Sequence, residues 1–231
     1  SSNISLPDVP RSPAGLSPIT ASGTYSSGSN NGGSCMVDNS KTPAVTHCLL
    51  GNINLSGSEE VEFNTTNGPM QLYLQCDPQN NSPCSGPNIT LSGNAGIKHC
   101  KNGSCTATAS DPTELALFGN PARTSEACSQ TIRISGGSSA TVMFAYLPDA
   151  CAGIHGGSSN PDLVGALWVK SFGPVGSSSN RAELLVPDDM GARVFTRFGN
   201  SFALSIRDFV AIGINNWASF QMPQSATGMF R

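Results

Sequence analysis

The chain has 231 residues, only 12% of them charged, and a formal net charge of -3. That length suits one large β domain or two small ones, and so sparse a charge leaves no basic stripe of the kind nucleic-acid binding needs. No apolar run approaches the roughly 20 residues of a membrane-crossing helix, so no membrane span and no nucleic-acid partner are expected.

Residues 1–46 show no sustained hydrophobic period. Ser1 opens a polar stretch without a basic segment followed by an apolar one, which reads as a mature or trimmed end. Leu6-Pro7-Asp8-Val9-Pro10 is held extended by its prolines. Ser22 to Ser34 is made of Ser, Gly and Asn, with one Thr and one Tyr, the composition of a loop or linker. The expectation is an extended arm over 1–46.

From residue 47 a repeat emerges. Asn52-Ile53-Asn54-Leu55-Ser56-Gly57, Asn88-Ile89-Thr90-Leu91-Ser92-Gly93 and Thr131-Ile132-Arg133-Ile134-Ser135-Gly136 each alternate apolar and polar residues and close on Ser-Gly. Alternation places Ile53 and Leu55 on one face of a strand, and the glycine permits a turn that a Cβ would obstruct. Val61 and Phe63, Ile97, then Val142 and Phe144 trail the three copies, and further apolar strands open near residues 72 and 115. A return of roughly 17–20 residues is what one coil of a β-solenoid with two or three short strands requires. The expected fold class is therefore all-β, a parallel β-helix or solenoid over 47–186 with disulfide-clipped loops. An antiparallel sandwich, which also spaces short strands between turns, is the other reading.

Residues 187–231 read as a C-terminal cap. Asp188 can N-cap a helix with apolar positions Met190, Val194, Phe195 and Phe198, stopped by Gly199 and Asn200. A second segment over 202–214 fits a helix or a strand, with a helix favoured over 202–210, and such a helical cap would protect an exposed sheet edge.

The cysteines are Cys35, Cys48, Cys76, Cys84, Cys100, Cys105, Cys128 and Cys151. Short loops lose least entropy on closure, which favours Cys35–Cys48, Cys76–Cys84, Cys100–Cys105 and Cys128–Cys151. A metal site using His99 beside Cys100 and Cys105 is the competing reading, although no CxxC pair of the usual zinc spacing occurs. Disulfides imply an oxidising compartment, hence an extracellular or cell-surface location. Asn3, Asn54, Asn64, Asn80, Asn88 and Asn102 each open an N-x-S/T triplet, which a chain this rich in those residues supplies by chance.

Phe144-Ala145-Tyr146-Leu147-Pro148-Asp149-Ala150, then Gly153-Ile154-His155-Gly156-Gly157, then Asp162 through Gly165-Ala166 to Lys170-Ser171 form a recognisable series. It resembles β-solenoid domains in cyanobacterial hormogonium-polysaccharide (Hps)-type surface proteins and in PilX-like minor pilins. The resemblance implies an extracellular role in filaments, matrix or gliding, and it supplies no catalytic residue.

Nothing marks a nucleophile: no G-x-S-x-G elbow occurs, and of His47, His99 and His155 the first two lie in turn-like sequence near a cysteine. Asp149, Asp162, Asp188 and Asp189 are the carboxylates that a polysaccharide-cleaving β-helix would need in pairs, but turn and helix-cap roles suit them equally. Trp168 reads as core, and Trp217 as the more exposed tryptophan. No catalytic residue, metal site or cofactor is assigned. The functional expectation is a non-enzymatic structural or adhesive protein that self-associates through sheet edges or the N-terminal arm, with polysaccharide as a further partner. A polysaccharide-degrading β-helix and a non-catalytic carbohydrate-binding adhesin are the alternatives.

Overall fold

Strands form where β-branched and aliphatic residues alternate with polar ones, because alternation gives a strand one face to bury. The computed structural model describes residues 7–76, 84–135, 140–155, 161–173 and 183–199. Its strands are β1 (Gly23–Ser26), β2 (Cys35–Asp38), β3 (Val45–Leu50), β4 (Ile53–Leu55), β5 (Glu60–Asn64), β6 (Met70–Leu74) and β7 (Ile89–Leu91). Then follow β8 (Gly96–Cys100), β9 (Leu115–Phe118), β10 (Gln130–Ser135), β11 (Thr141–His155), β12 (Leu163–Phe172) and β13 (Leu184–Leu185). One short helix, α1 (Met190–Phe198), comes after them. The repeated apolar pairs lie in β4, β7 and β10, with Val61 and Phe63 in β5.

Among the described residues the strands build two sheets. β1, β5 and β8 make a parallel three-stranded sheet. The other runs β2-β3-β6-β9-β11-β10-β7-β4, with β12 beside β11 and β13 beside β12. Its pairs are parallel except β2 with β3, which are antiparallel and set Cys35 opposite Cys48.

β11 decides the shape. Residues 144–146 pair with β9 and residues 150–155 with β10, while β12 follows the opposite edge. The ladders β3-β6-β9 and β4-β7-β10 thus lie end to end along one strand. The β11–β12 register shifts between Leu147 and Cys151, where Pro148 cannot donate to a ladder.

This overturns the expected parallel β-helix. A β-helix keeps its faces as separate ladders, each gaining one strand per coil. Here one fifteen-residue strand runs through two ladders and fuses them, and the β2–β3 pair makes the pairing mixed. The result is a curled half-barrel.

The core fills the inside of the curl. Leu72, Leu117, Ile89, Ile132 and Ala145 share one buried cluster with Val61, Phe63 and Ile97 of the smaller sheet. The other face of the large sheet carries Tyr73, Phe118, Tyr146 and Trp168 in cross-strand register. Tyr73 and Phe118 lie 5.8 Å apart between centroids, and Tyr146 and Trp168 meet edge-on at 5.2 Å. Both faces are therefore apolar here, as in strands buried on two sides.

Two of the Ser-Gly turns stack directly. Gly57 and Gly93 both have positive φ, +64° and +67°, and Asn94 N donates to Gly57 O at 2.7 Å. A Cβ on Gly93 would lie 3.3 Å from the Gly57 backbone.

The stretch expected as an arm is tied to the body from residue 10 onward. Gln75 donates to Pro10 O at 2.7 Å and accepts from Ser12 N at 3.1 Å. Ile19 bridges to Leu50 and is buried. The Asn31 amide bonds both Ser26 N and Ser26 O at 3.0 Å, capping the end of edge strand β1.

Disulfides join Cys35–Cys48, Cys76–Cys84, Cys100–Cys105 and Cys128–Cys151. Four disulfides in an all-β protein fit a secreted protein in an oxidising environment.

Asp8–Val186 is one compact unit, and Pro187–Arg231 belongs with Ser1–Pro7 to a second. In the second unit α1 buries Met190 and Val194, four residues apart on one face. Its N-cap is Asp189, not Asp188, and Gly199 at φ +85° ends it. The segment 202–210 and Trp217 lie outside the described residues. No helix among the described residues is long and apolar enough to cross a membrane.

Candidate functional site

The charged centre of the large sheet is Asp149, at the β11 irregularity. Its side chain has no exposed surface, and Arg123 Nε lies 2.5 Å and Lys170 Nζ 3.0 Å from its two oxygens. Lys170 projects from β12, which flanks β11, and its ammonium also donates to Ser125 O and, at 3.4 Å, to Ala127 O. Ser129 N donates to Asp149 O at 3.0 Å, and Cys128–Cys151 closes the same loop onto β11. Burial pushes the Asp149 carboxyl up, but hydrogen bonds from Ser129, Lys170 and Arg123 outweigh it and hold the pKa below the usual range. The group is thus a fixed anion that binds two cations and clamps a loop.

Next to it lies a buried amide cluster. Asn120 donates from Nδ2 to Gly86 O at 3.1 Å and Ser129 Oγ at 3.0 Å, and accepts from Cys76 N at 3.1 Å. Gln130 donates to Leu74 O at 2.7 Å and Pro87 O at 3.0 Å, and Gln75 Nε2 to Gly119 O at 3.1 Å. These side chains satisfy loop backbone where the sheet curls, as buried polar groups must.

Asp162 is fully buried and its Oδ2 accepts from Glu183 N at 2.7 Å at the entry to β13. Asp188 is exposed, and Asp189 pairs with Arg193 one helical turn on, at 2.9 Å.

His99 is locked. Nδ1 lies 3.0 Å from Val142 O and Nε2 2.8 Å from Thr65 Oγ1. A carbonyl only accepts, so Nδ1 carries the proton and bare Nε2 accepts from the threonine. Burial lowers its pKa from 6.5 to about 4, and the Val142 bond opposes this only in part. His47 Nδ1 contacts the Tyr73 hydroxyl at 2.8 Å, and that hydroxyl donates to Gln71 at 2.9 Å. Burial lowers the His47 pKa and raises that of Tyr73. His155 ends β11.

Glu62, Cys100 and Cys105 offer atoms within 4.8 Å of one another, a spacing a metal could use. Both sulfurs are spent in a disulfide, and a metal needs thiolates, so these three residues do not fit an ion as they stand. Trp168 is 7% exposed, in the core as expected.

Sequence reasoning named Asp149 and quoted Lys170 but missed Arg123, Ser129, Asn120 and Gln130. No local signal marks them, since their partners lie from 9 to 56 residues away in the chain. No family model, no curated protein and no solved structure matches this chain.

Proposed function

We propose that this chain is an extracellular structural or adhesive protein of the cell surface, whose copies join through a sheet edge into a filament or matrix. The observation that carries this reading is the outer edge of β12. Among the described residues β13 covers it only at Leu163 and Val164. The rest runs on to Ser171 and Phe172, both exposed, Phe172 at 58%. An uncovered edge presents backbone donors and acceptors that template a further strand, and an apolar tip favours burial there. β4 likewise has a single strand partner among the described residues, so unlike edges at the two ends permit heterologous, head-to-tail growth. The four disulfides support the extracellular part of this reading.

Sedimentation velocity and negative-stain microscopy on the full chain test it. The wild type forms concentration-dependent higher species, and Phe172→Glu, which adds charge at the edge, stays monomeric with an unchanged melting temperature. A wild type that is monomeric at every concentration overturns the reading.

A further inference from the structure

The outward positions of the β4-β7-β10 ladder form a row that the clamp and the core leave unused. In register, Asn54 neighbours Thr90, Thr90 neighbours Arg133, and Arg133 neighbours Gly153. Their chain neighbours on either side, such as Ile53 and Ile89, are buried, so alternation turns this row to the outer face. Asn54 is exposed, and Thr90 and Arg133 are half-buried. Gly153 adds no side chain and is itself buried.

Arg133 is the anomaly. Its Nε is buried and has no hydrogen-bond partner among the described residues. By contrast Arg123 is held by Asp149 and Arg193 by Asp189. A guanidinium remains charged at any biological pH, and its planar fork matches a two-oxygen anion in bidentate fashion. Leaving Nε enclosed and unmet is costly, and an anion meets the part of this half-buried side chain that solvent reaches.

The row is also built to stay straight. Asn88 N donates to Asn52 Oδ1 at 2.9 Å, and Thr131 N to Asn88 Oδ1 at 2.7 Å. These asparagines lock the strand starts in register, so Asn54, Thr90 and Arg133 recur at the ~4.8 Å strand spacing.

We propose that Asn54, Thr90 and Arg133 form a binding subsite for an anionic polysaccharide lying across the strands. Arg133 pairs with a carboxylate or sulfate on one sugar, and the Thr90 hydroxyl and the Asn54 amide bond the hydroxyls of the sugars that follow. A regular polymer fits a row of equally spaced polar groups, whereas a protein partner needs an apolar centre to its interface. With a net charge of -3, attraction by the whole molecule does not explain such binding; the pairing at Arg133 does. This deepens the adhesive part of the function proposed above and stands apart from assembly.

Biolayer interferometry of the full chain against immobilised polygalacturonate, dextran sulfate and neutral dextran tests it. The wild type binds one or both anionic polymers and not dextran, and the preferred polymer identifies the anion as carboxylate or sulfate. Arg133→Gln loses at least about tenfold in affinity, the loss of one bidentate charged contact. Arg133→Lys keeps the charge without the fork and recovers only part. The double variant Asn54→Ala/Thr90→Ala, at positions outside the core, weakens binding with Arg133 intact and covers the case in which Arg133→Gln fails to fold. Phe172→Glu binds as the wild type does, so failed assembly and failed glycan binding are told apart. Equal binding by Arg133→Gln, dextran binding as tight as polyanion binding, or an effect of Arg133→Gln on sedimentation alone overturns the proposal.

Discussion

The Asp149 carboxylate lies 3.0 Å from the Lys170 ammonium, on neighbouring strands, with none of its side chain exposed to solvent. The β11–β12 register shifts there, and the pair, with Arg123, binds the 123–129 loop to the bend. The residues are far apart in sequence and meet only because β12 follows β11 in parallel.

Asp149→Asn removes the anion and leaves two partly buried cations facing each other. Breaking such a pair from one side costs roughly 3 kcal/mol, to be read from the urea midpoint. Glu60→Gln, which breaks the more exposed pair with Lys98 at 2.8 Å, costs about 0–1 kcal/mol. Because the folded pKa of Asp149 is depressed, its contribution is present above the ordinary value of about 3.9 and fades as pH falls below it. An Asp149→Asn variant as stable as the wild type at pH 7 refutes the clamp.

His99 sets a second pH window. Its folded pKa is about 4 against 6.5 when free, so the unfolded chain takes up the proton first. Stability is complete above 6.5 and falls as pH drops from 6.5 towards 4, by roughly 3 kcal/mol over the interval. Melting temperature followed from pH 7.5 to 4.5 shows this slope. His99→Gln is less stable at pH 7 and loses the part of the slope that His99 supplies. An unaltered slope in the variant removes His99 as its source.

Replacing Cys128 and Cys151 together by serine frees a loop closed over 23 residues, at a cost of about 3.5 kcal/mol by loop entropy. The same change at Cys100 and Cys105, separated by 5, costs about 2 kcal/mol. Since Cys128 closes the loop that Lys170 grips, Lys170→Met costs less in the Cys128/Cys151 variant than in the wild type. Additive effects in a double-mutant cycle argue against this coupling.

Gly165 and Gly173 provide a paired test of the β12 backbone. Gly165 has φ +135°, and a Cβ there would run into the Met143 carbonyl oxygen. Gly165→Ala therefore destabilises by roughly 3 kcal/mol. Gly173 has nothing within 4 Å of a built Cβ, so Gly173→Ala is neutral within about 0.5 kcal/mol. Chemical denaturation of the two variants side by side checks both.

The local features of this protein were legible in its residues. Period-two alternation marks β4, β7 and β10 because a strand has two faces and only one need be apolar to reach the core. The turn glycines at 57 and 93 and the sequence-neighbour cysteine pairs follow from backbone sterics and loop entropy, which act over short stretches of chain.

The topology was not legible, and the expected β-helix was wrong for that reason. Alternation tells which face of a strand is buried, not which strand lies beside it. Tyr146 and Trp168 read as two apolar residues; only the register places them in a row with Phe118 and Tyr73 on a second buried face. Arg123 carries no signal until the loop closes on Asp149, and Arg133 looks like any outward strand residue until its lack of a partner is seen. The sequence by itself determined the strands β4, β7 and β10, their turns and the chemistry of the staples, but not β1 and β2, which lie in the stretch expected as an arm. Only the tertiary structure decided that β11 joins two ladders, which side chains clamp the bend and that Arg133 Nε lacks a partner among the described residues. Those outcomes rest on pairings between distant segments, whose geometry no local pattern specifies.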